Sequence, residues 1–210
     1  MSARSSSTTT WTPRSSYDMP ASRPRIATPT VNRLGSDGQP TPTVTRNLKS
    51  IAQAEGTNMT DNNAHARSIL ETTSYMVLAT ADTTGRPWAT PVWFAADGLD
   101  RLYWLSWPGS RHSVLIEQRP EIALTVFDST VAPYTGTAFY AAAQARQCAD
   151  EHINDGLRFV NRRSLAEGIG QFTRPHVTGE SRLRLYVAEV TEAWVTDQDA
   201  EVDQRAPVPR

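Results

Sequence analysis

The chain has 210 residues, a formal net charge of -1 and 20% charged residues, which gives room for one domain with a tail and excludes a global bias toward nucleic acid or a membrane surface. Cys148 is the only cysteine, so an intrachain disulfide and a Cys-rich zinc site are both excluded. No apolar run approaches the ~20 residues that span a bilayer, and the N-terminus lacks the apolar core of a signal peptide, so a cytoplasmic location is expected.

Ser, Thr and Pro fill 26 of the first 60 positions, and apolar residues there are sparse and aperiodic. Such a segment cannot bury enough surface to offset its ordering entropy, so residues 1–59 are expected to be a disordered tail. The abrupt change at TNMTDNNAHARSIL also raises Met59 as the true start. The tail's seven scattered basic residues are too dispersed to argue for nucleic-acid binding.

From Thr60 to residue 198 the pattern is that of a folded domain, with 199–210 a polar tail. Asp61 or Asn62 can cap a short helix whose apolar positions include Ala64, Ile69 and Leu70. Strands are predicted at 74–82, 86–95 and 101–106, with turns at 83–85 and 96–100 joining antiparallel neighbours. A helix is predicted at 110–119, stopped by Pro120. Strands follow at 121–128 and 135–145. A helix is then predicted at 149–164, with Ile153, Leu157 and Val160 on one face. A long strand at 182–195 completes the domain. The fold class is mainly β, a six-stranded antiparallel split β-barrel with inserted helices. There is no Gly-rich dinucleotide fingerprint and no P-loop.

The stretch SWPGSRHS, 106–113, carries the strongest chemistry. Arg111 and His112 fall in a first helical turn, where the helix dipole disfavours cations. Ser106, Ser110 and Ser113 offer hydroxyls, Arg111 a fork of donors, and the helix start its free N–H groups. That is the inventory of a phosphate site. Four of the six tryptophans lie between 88 and 107 and can either pack the core or form a wall for a planar ligand. Pro91 marks an edge or a bulge, whose free backbone groups could meet a heterocycle. His65, His152 and His176 show no metal-ligand spacing and read as surface or capping residues, so no metal site is assigned. Arg174, His176 and Tyr134 lie in loops that could border a pocket. Residues 167–170 read as a flexible connection.

The order PWATPVWF, LYWLSWPGSRHSVLI, RPEIALTVFD resembles the pyridoxamine-phosphate-oxidase-like family of FMN-binding split barrels, over roughly residues 65–197. The resemblance implies FMN contacts from Thr90, Pro91, Val92 and Trp93 along the flavin. It implies phosphate contacts from Ser106, Arg111, His112 and Ser113. It implies a homodimer with flavin at the interface and oxidation or reduction of a small organic substrate, with no side chain required as acid or base. Relatives that bind the deazaflavin F420 or haem, and non-catalytic flavin-storing proteins, are the alternatives. The chain departs from true pyridoxamine phosphate oxidases: Thr90 and Ala95 stand where they carry Arg and Lys, His112 stands where Lys is usual, and the Arg-rich C-terminal motif is missing. The flavin fold is therefore expected without the vitamin B6 substrate.

Overall fold

The structure is a computed structural model that describes residues 61–197, 200 and 204–209. The expected N-terminal tail and the Met59 start lie outside the described residues. One antiparallel sheet organises the rest. Its strands are β1 (Tyr75–Ala81), β2 (Pro87–Trp93), β3 (Ala95–Asp97), β4 (Arg101–Ser106), β5 (Glu121–Phe127), β6 (Ala138–Gln147), β7 (Arg184–Thr196) and β8 (Arg205–Pro207). Seven run in the order β2-β1-β5-β6-β7-β4-β3, and β8 pairs with β7. Helices α1 (61–72), α2 (Arg111–Gln118) and α3 (Ile153–Ala166) pack around it.

The alternation of the strands explains the core. Met76, Leu78 and Thr80 of β1 face inward with Leu124 and Val126 of β5 and Phe139, Ala141 and Ala143 of β6. Trp104 and Tyr186 stack at 5.6 Å within the same core. A second cluster lies between α3 and β4, where Ile153, Leu157 and Val160 are buried, as their spacing predicts. In α1 Ile69 and Leu70 are buried as predicted, together with Ala66, whereas Ala64 is exposed.

Two strands exceed the six expected. The predicted strand 86–95 breaks at Phe94: β2 pairs with β1, and only the three-residue β3 reaches β4. The expected hairpin between 86–95 and 101–106 is thus confined to its last residues. Phe94 is fully buried, and that burial fixes the bend. Because β2 and β3 end the sheet path at opposite sides yet are separated by one residue, the sheet curls into a half-barrel. The other addition, β8, comes from the stretch expected as a polar tail. Its Ala206 pairs with Val195 and the adjoining Val208 is buried.

Candidate functional site

The site is built where β4 runs into α2. The Trp107 carbonyl accepts from the Ser110 N–H at 2.9 Å, which closes the Pro-Gly turn. Ser110 then caps α2, its hydroxyl accepting from the Ser113 N–H at 3.4 Å. Gly109 is required here, since a Cβ on it would lie 2.6 Å from the Trp107 ring.

Four side chains converge behind this cap. Ser106 Oγ lies 2.8 Å from His112 Nε2 and 3.1 Å from Ser110 Oγ. The Ser113 hydroxyl donates to Ser106 at 3.1 Å and receives a bond from Ser110 at 2.9 Å. The Tyr186 side chain lies beside Ser113, on a shared cleft. Ser106, His112 and Ser113 are buried, and no acidic residue occupies the first turn of α2. Burial disfavours the imidazolium and holds His112 below its ordinary range. A cleft of about 400 Å³ borders Ser113 and Tyr186.

Arg111 points elsewhere. Successive helical residues are turned by about 100°, so Arg111 leaves the buried group and places its guanidinium 4.1 Å from the centre of the Trp88 ring in β2. The sequence-predicted phosphate contacts therefore divide. Ser106, His112 and Ser113 form one cluster, and Arg111 bridges from α2 to the second predicted group.

That second group is also divided, because a strand alternates its faces. Thr90 and Val92 share the inner side with Trp88, opposite Leu78 and Met76. Pro91 and Trp93 face outward, opposite Val77 and Tyr75. The Thr90 hydroxyl oxygen is buried without a hydrogen-bond partner among the described residues, an anomaly for a polar atom in a folded protein.

Among the described residues the backbone of β2 pairs on one edge only, with β1. Asp82 N–H donates to Arg86 O, and Phe94 N–H donates to Ser74 O. Even-numbered residues of β2 thus turn their backbone groups to β1, and 87, 89, 91 and 93 turn theirs to the edge. Two of these are prolines, so the edge carries four carbonyls but N–H donors from Ala89 and Trp93 alone.

Sequence reasoning missed Glu167, placing it in a flexible connection. Its carboxylate accepts from Trp93 Nε1 at 2.7 Å, Ser74 Oγ at 3.0 Å and Arg163 Nε at 2.8 Å. Burial raises its pKa, but those three donors outweigh burial and hold the carboxyl below its ordinary range. All three partners are distant or on another turn, so no local signal marks it. Arg174 is occupied structurally, donating to the Asp150 carbonyl at 2.8 Å, and His176 caps its own turn by accepting from Thr173 N–H at 2.9 Å. Tyr134 is fully exposed at φ 67°.

The sequence profile of pyridoxamine 5'-phosphate oxidase matches residues 63–195, well over half of the chain. The chain belongs to the pyridoxamine 5'-phosphate oxidase family. Solved structures share the fold of this family member at low identity. A heme binding protein from Mycobacterium smegmatis is similar with a TM-score of 0.54 and 15% identity, over 69% of this chain and 57% of that one. The Agrobacterium tumefaciens protein Atu2129, of unknown function, gives 0.53 and 16%, over 79% and 66%. A candidate 5-nitroimidazole antibiotic resistance protein from Bacteroides thetaiotaomicron gives 0.52 and 15%, over 63% and 81%. No curated protein matches the chain. Among the described residues no helix is long and apolar enough to cross a membrane, and no cluster of three or more His, Cys, Asp or Glu is placed to hold a metal ion.

Proposed function

We propose that this protein binds FMN in a split barrel and uses it to oxidise or reduce a small organic molecule. The observation that carries the reading is the hydroxyl–imidazole cluster at the start of α2. It gathers Ser106, Ser110, His112 and Ser113 against a helix N-terminus that carries no carboxylate, with Arg111 beside it. Counting β2 and β3 as one strand bent at Phe94, and setting aside the short β8 beside β7, leaves the six strands that this reading assumes.

In this arrangement the Ser106 and Ser113 hydroxyls and the α2 N–H groups hold the phosphate, and Arg111 swings from Trp88 to close over it. His112 contributes as a hydrogen-bond donor, and the dianion beside it favours its protonated form. The free edge of β2 orients the ring through its carbonyls and the Ala89 and Trp93 N–H groups. Bound FMN would supply the hydride or single-electron chemistry. No side chain is assigned as acid or base.

The assembly proposed is a homodimer. The outer face of β2, β1, β5 and β6 presents the rows Ala89, Ala79, Ala123, Ala142 and Pro91, Val77, Thr125, Tyr140, with Tyr75 60% and Phe127 46% exposed beside them. Glu121 and Glu192 border these rows and Arg205 lies 4.3 Å from the Tyr140 ring centre, which leaves a mainly apolar strip between charges that suits a second copy. Mass spectrometry of the ligand released from the purified protein tests the cofactor. FMN is the expected species; F420 or haem in its place, or an apoprotein that takes up no FMN, overturns the reading. Light scattering of the eluted species, expected at twice the chain mass, tests the dimer.

A further inference from the structure

A cleft of about 270 Å³ opens between α1, α3 and the β3–β4 turn, away from the α2 cap. Its walls carry two guanidiniums from separate elements, Arg67 of α1 and Arg162 of α3. Neither forms an ion pair among the described residues. Glu71, one turn beyond Arg67 and on the same cleft, does not pair with it, whereas the deeper Arg163 is neutralised by Glu167 at 2.8 Å. Arg162 gives one N–H to the Ala96 carbonyl at 3.0 Å and lies 5.4 Å from the Phe159 ring centre. A guanidinium has five N–H donors, so most of the donor capacity of these two exposed side chains is left open at the cleft wall. Gly98 lies beside Arg67 in the lining. Its φ of +60° suits the turn, and the Cβ it lacks would lie 3.4 Å from Arg67 Nη1.

The lining also holds Glu71, Arg163 and Glu167, and between these charges part of it is apolar. Leu70, Ala95, Ala166 and the Phe159 ring form the surface between the two cations. The volume sits just under the ~300–1,000 Å³ of drug-sized sites, so the occupant is small. We propose that this cleft binds a small organic monocarboxylate. Arg67 and Arg162 take the carboxylate through charge-assisted bonds, which are about twice as strong as neutral ones. The hydrocarbon body lies on Phe159 and Ala166. Glu71 at the wall repels a second acid group.

The proposal does not depend on FMN binding. The probe is a carboxylate rather than a phosphate so that it does not report on the α2 cap. Calorimetric titration of the full-length protein with benzoate is the test, with benzyl alcohol as the uncharged match. Saturable benzoate binding is expected, with no saturation by benzyl alcohol. The double variant Arg67→Gln, Arg162→Gln should lose at least tenfold in benzoate affinity. Both side chains are at the surface, and a thermal melt matching the parent's shows that the variant is folded. No saturable binding at millimolar benzoate, equal binding of benzyl alcohol, or unchanged affinity in the folded double variant would each overturn the proposal. Should that variant melt early, Arg67→Gln alone is measured, and an affinity equal to the parent's overturns it as well.

Discussion

The Arg111 guanidinium rests 4.1 Å from the centre of the Trp88 ring, joining the first turn of α2 to the edge strand β2. At an exposed site such a contact contributes only about 0.5–1 kcal/mol. A charge-assisted bond to phosphate contributes about 1.5–3 kcal/mol. The second exceeds the first, so Arg111 is free to exchange one partner for the other. Arg111→Ala should weaken FMN by about 1.5–3 kcal/mol in a fluorescence titration while lowering stability by no more than the ring contact is worth. An unchanged FMN affinity would show that the phosphate lies elsewhere.

His112 should make the stability of the ligand-free protein pH-dependent. Burial lowers its pKa in the folded state, so the unfolded chain binds the proton more readily. The stabilisation is present above the unfolded value of about 6.5. It is lost progressively as pH falls below that value toward the lowered folded pKa. Melting temperature should therefore drop on acidification from pH 7 through the range below 6.5, and less steeply in His112→Gln. FMN binding should run with the opposite dependence on this group. A phosphate dianion draws a proton onto His112, so affinity should decline as pH rises. Parallel melting curves for the two proteins would remove His112 as the cause.

Glu167 should be needed to hold the end of β2. Glu167→Ala leaves the Trp93 N–H and the largely buried Arg163 short of an acceptor. Losing a partner costs about 1–3 kcal/mol for a buried group, and because the Trp93 contact is exposed and Arg163 keeps the Leu70 and Thr73 carbonyls, a denaturant titration should show a total loss within about that range. Trp93 emission should change with it. A variant as stable as the parent would mean that solvent replaces the carboxylate.

Gly156→Ala sets two effects against each other. Alanine improves a helix interior by about 1 kcal/mol over glycine. Here its Cβ would lie 2.7 Å from Leu185 Cδ2 and 2.9 Å from the Tyr103 ring. Overpacking of this kind costs about 1–3 kcal/mol, and Tyr103 is pinned on its other side by stacking on Phe159 at 5.6 Å. The expected net change is destabilising, checked by chemical denaturation. A more stable variant would show that α3 can move away from β4.

Cys148 should be inert in the folded protein. It is buried, and burial pushes its thiol up to about 11, so almost none is thiolate at pH 8. A thiol-reactive dye should label it slowly in buffer and fast in denaturant. Rapid labelling of the native protein would contradict the burial.

Much of this architecture was legible along the chain. Apolar, aromatic and β-branched runs between turn signals marked six strands, Pro120 stopped α2, and Ser110 capped it where the Pro-Gly turn predicted. The bend at Phe94 was not legible, because an unbroken apolar run hides the point at which a strand changes partners. Tryptophan was also ambiguous. Trp104 is fully buried, Trp107 is 52% exposed, and Trp88 lies beneath Arg111, three environments for one residue type within a short span. The predicted site residues were close in sequence and so were found together. Their division between two faces of β2 and two sides of α2 follows from backbone geometry. Glu167, bonded to Ser74 and Trp93 far away in sequence, left no local trace.

The place of β7 in the sheet bears on how the chain is made. It is the last long strand to leave the ribosome, and it supplies the partner for both β4 and β6, with Ser106 meeting Arg184 and Phe139 meeting Val195. Until it emerges, two interior strands stand with open hydrogen-bonding edges. Pairings so distant in sequence also make folding slow, on the millisecond-to-second scale of β-rich domains. The growing polypeptide is therefore most exposed to misassociation just before its final third is complete, when chaperone capture would matter most.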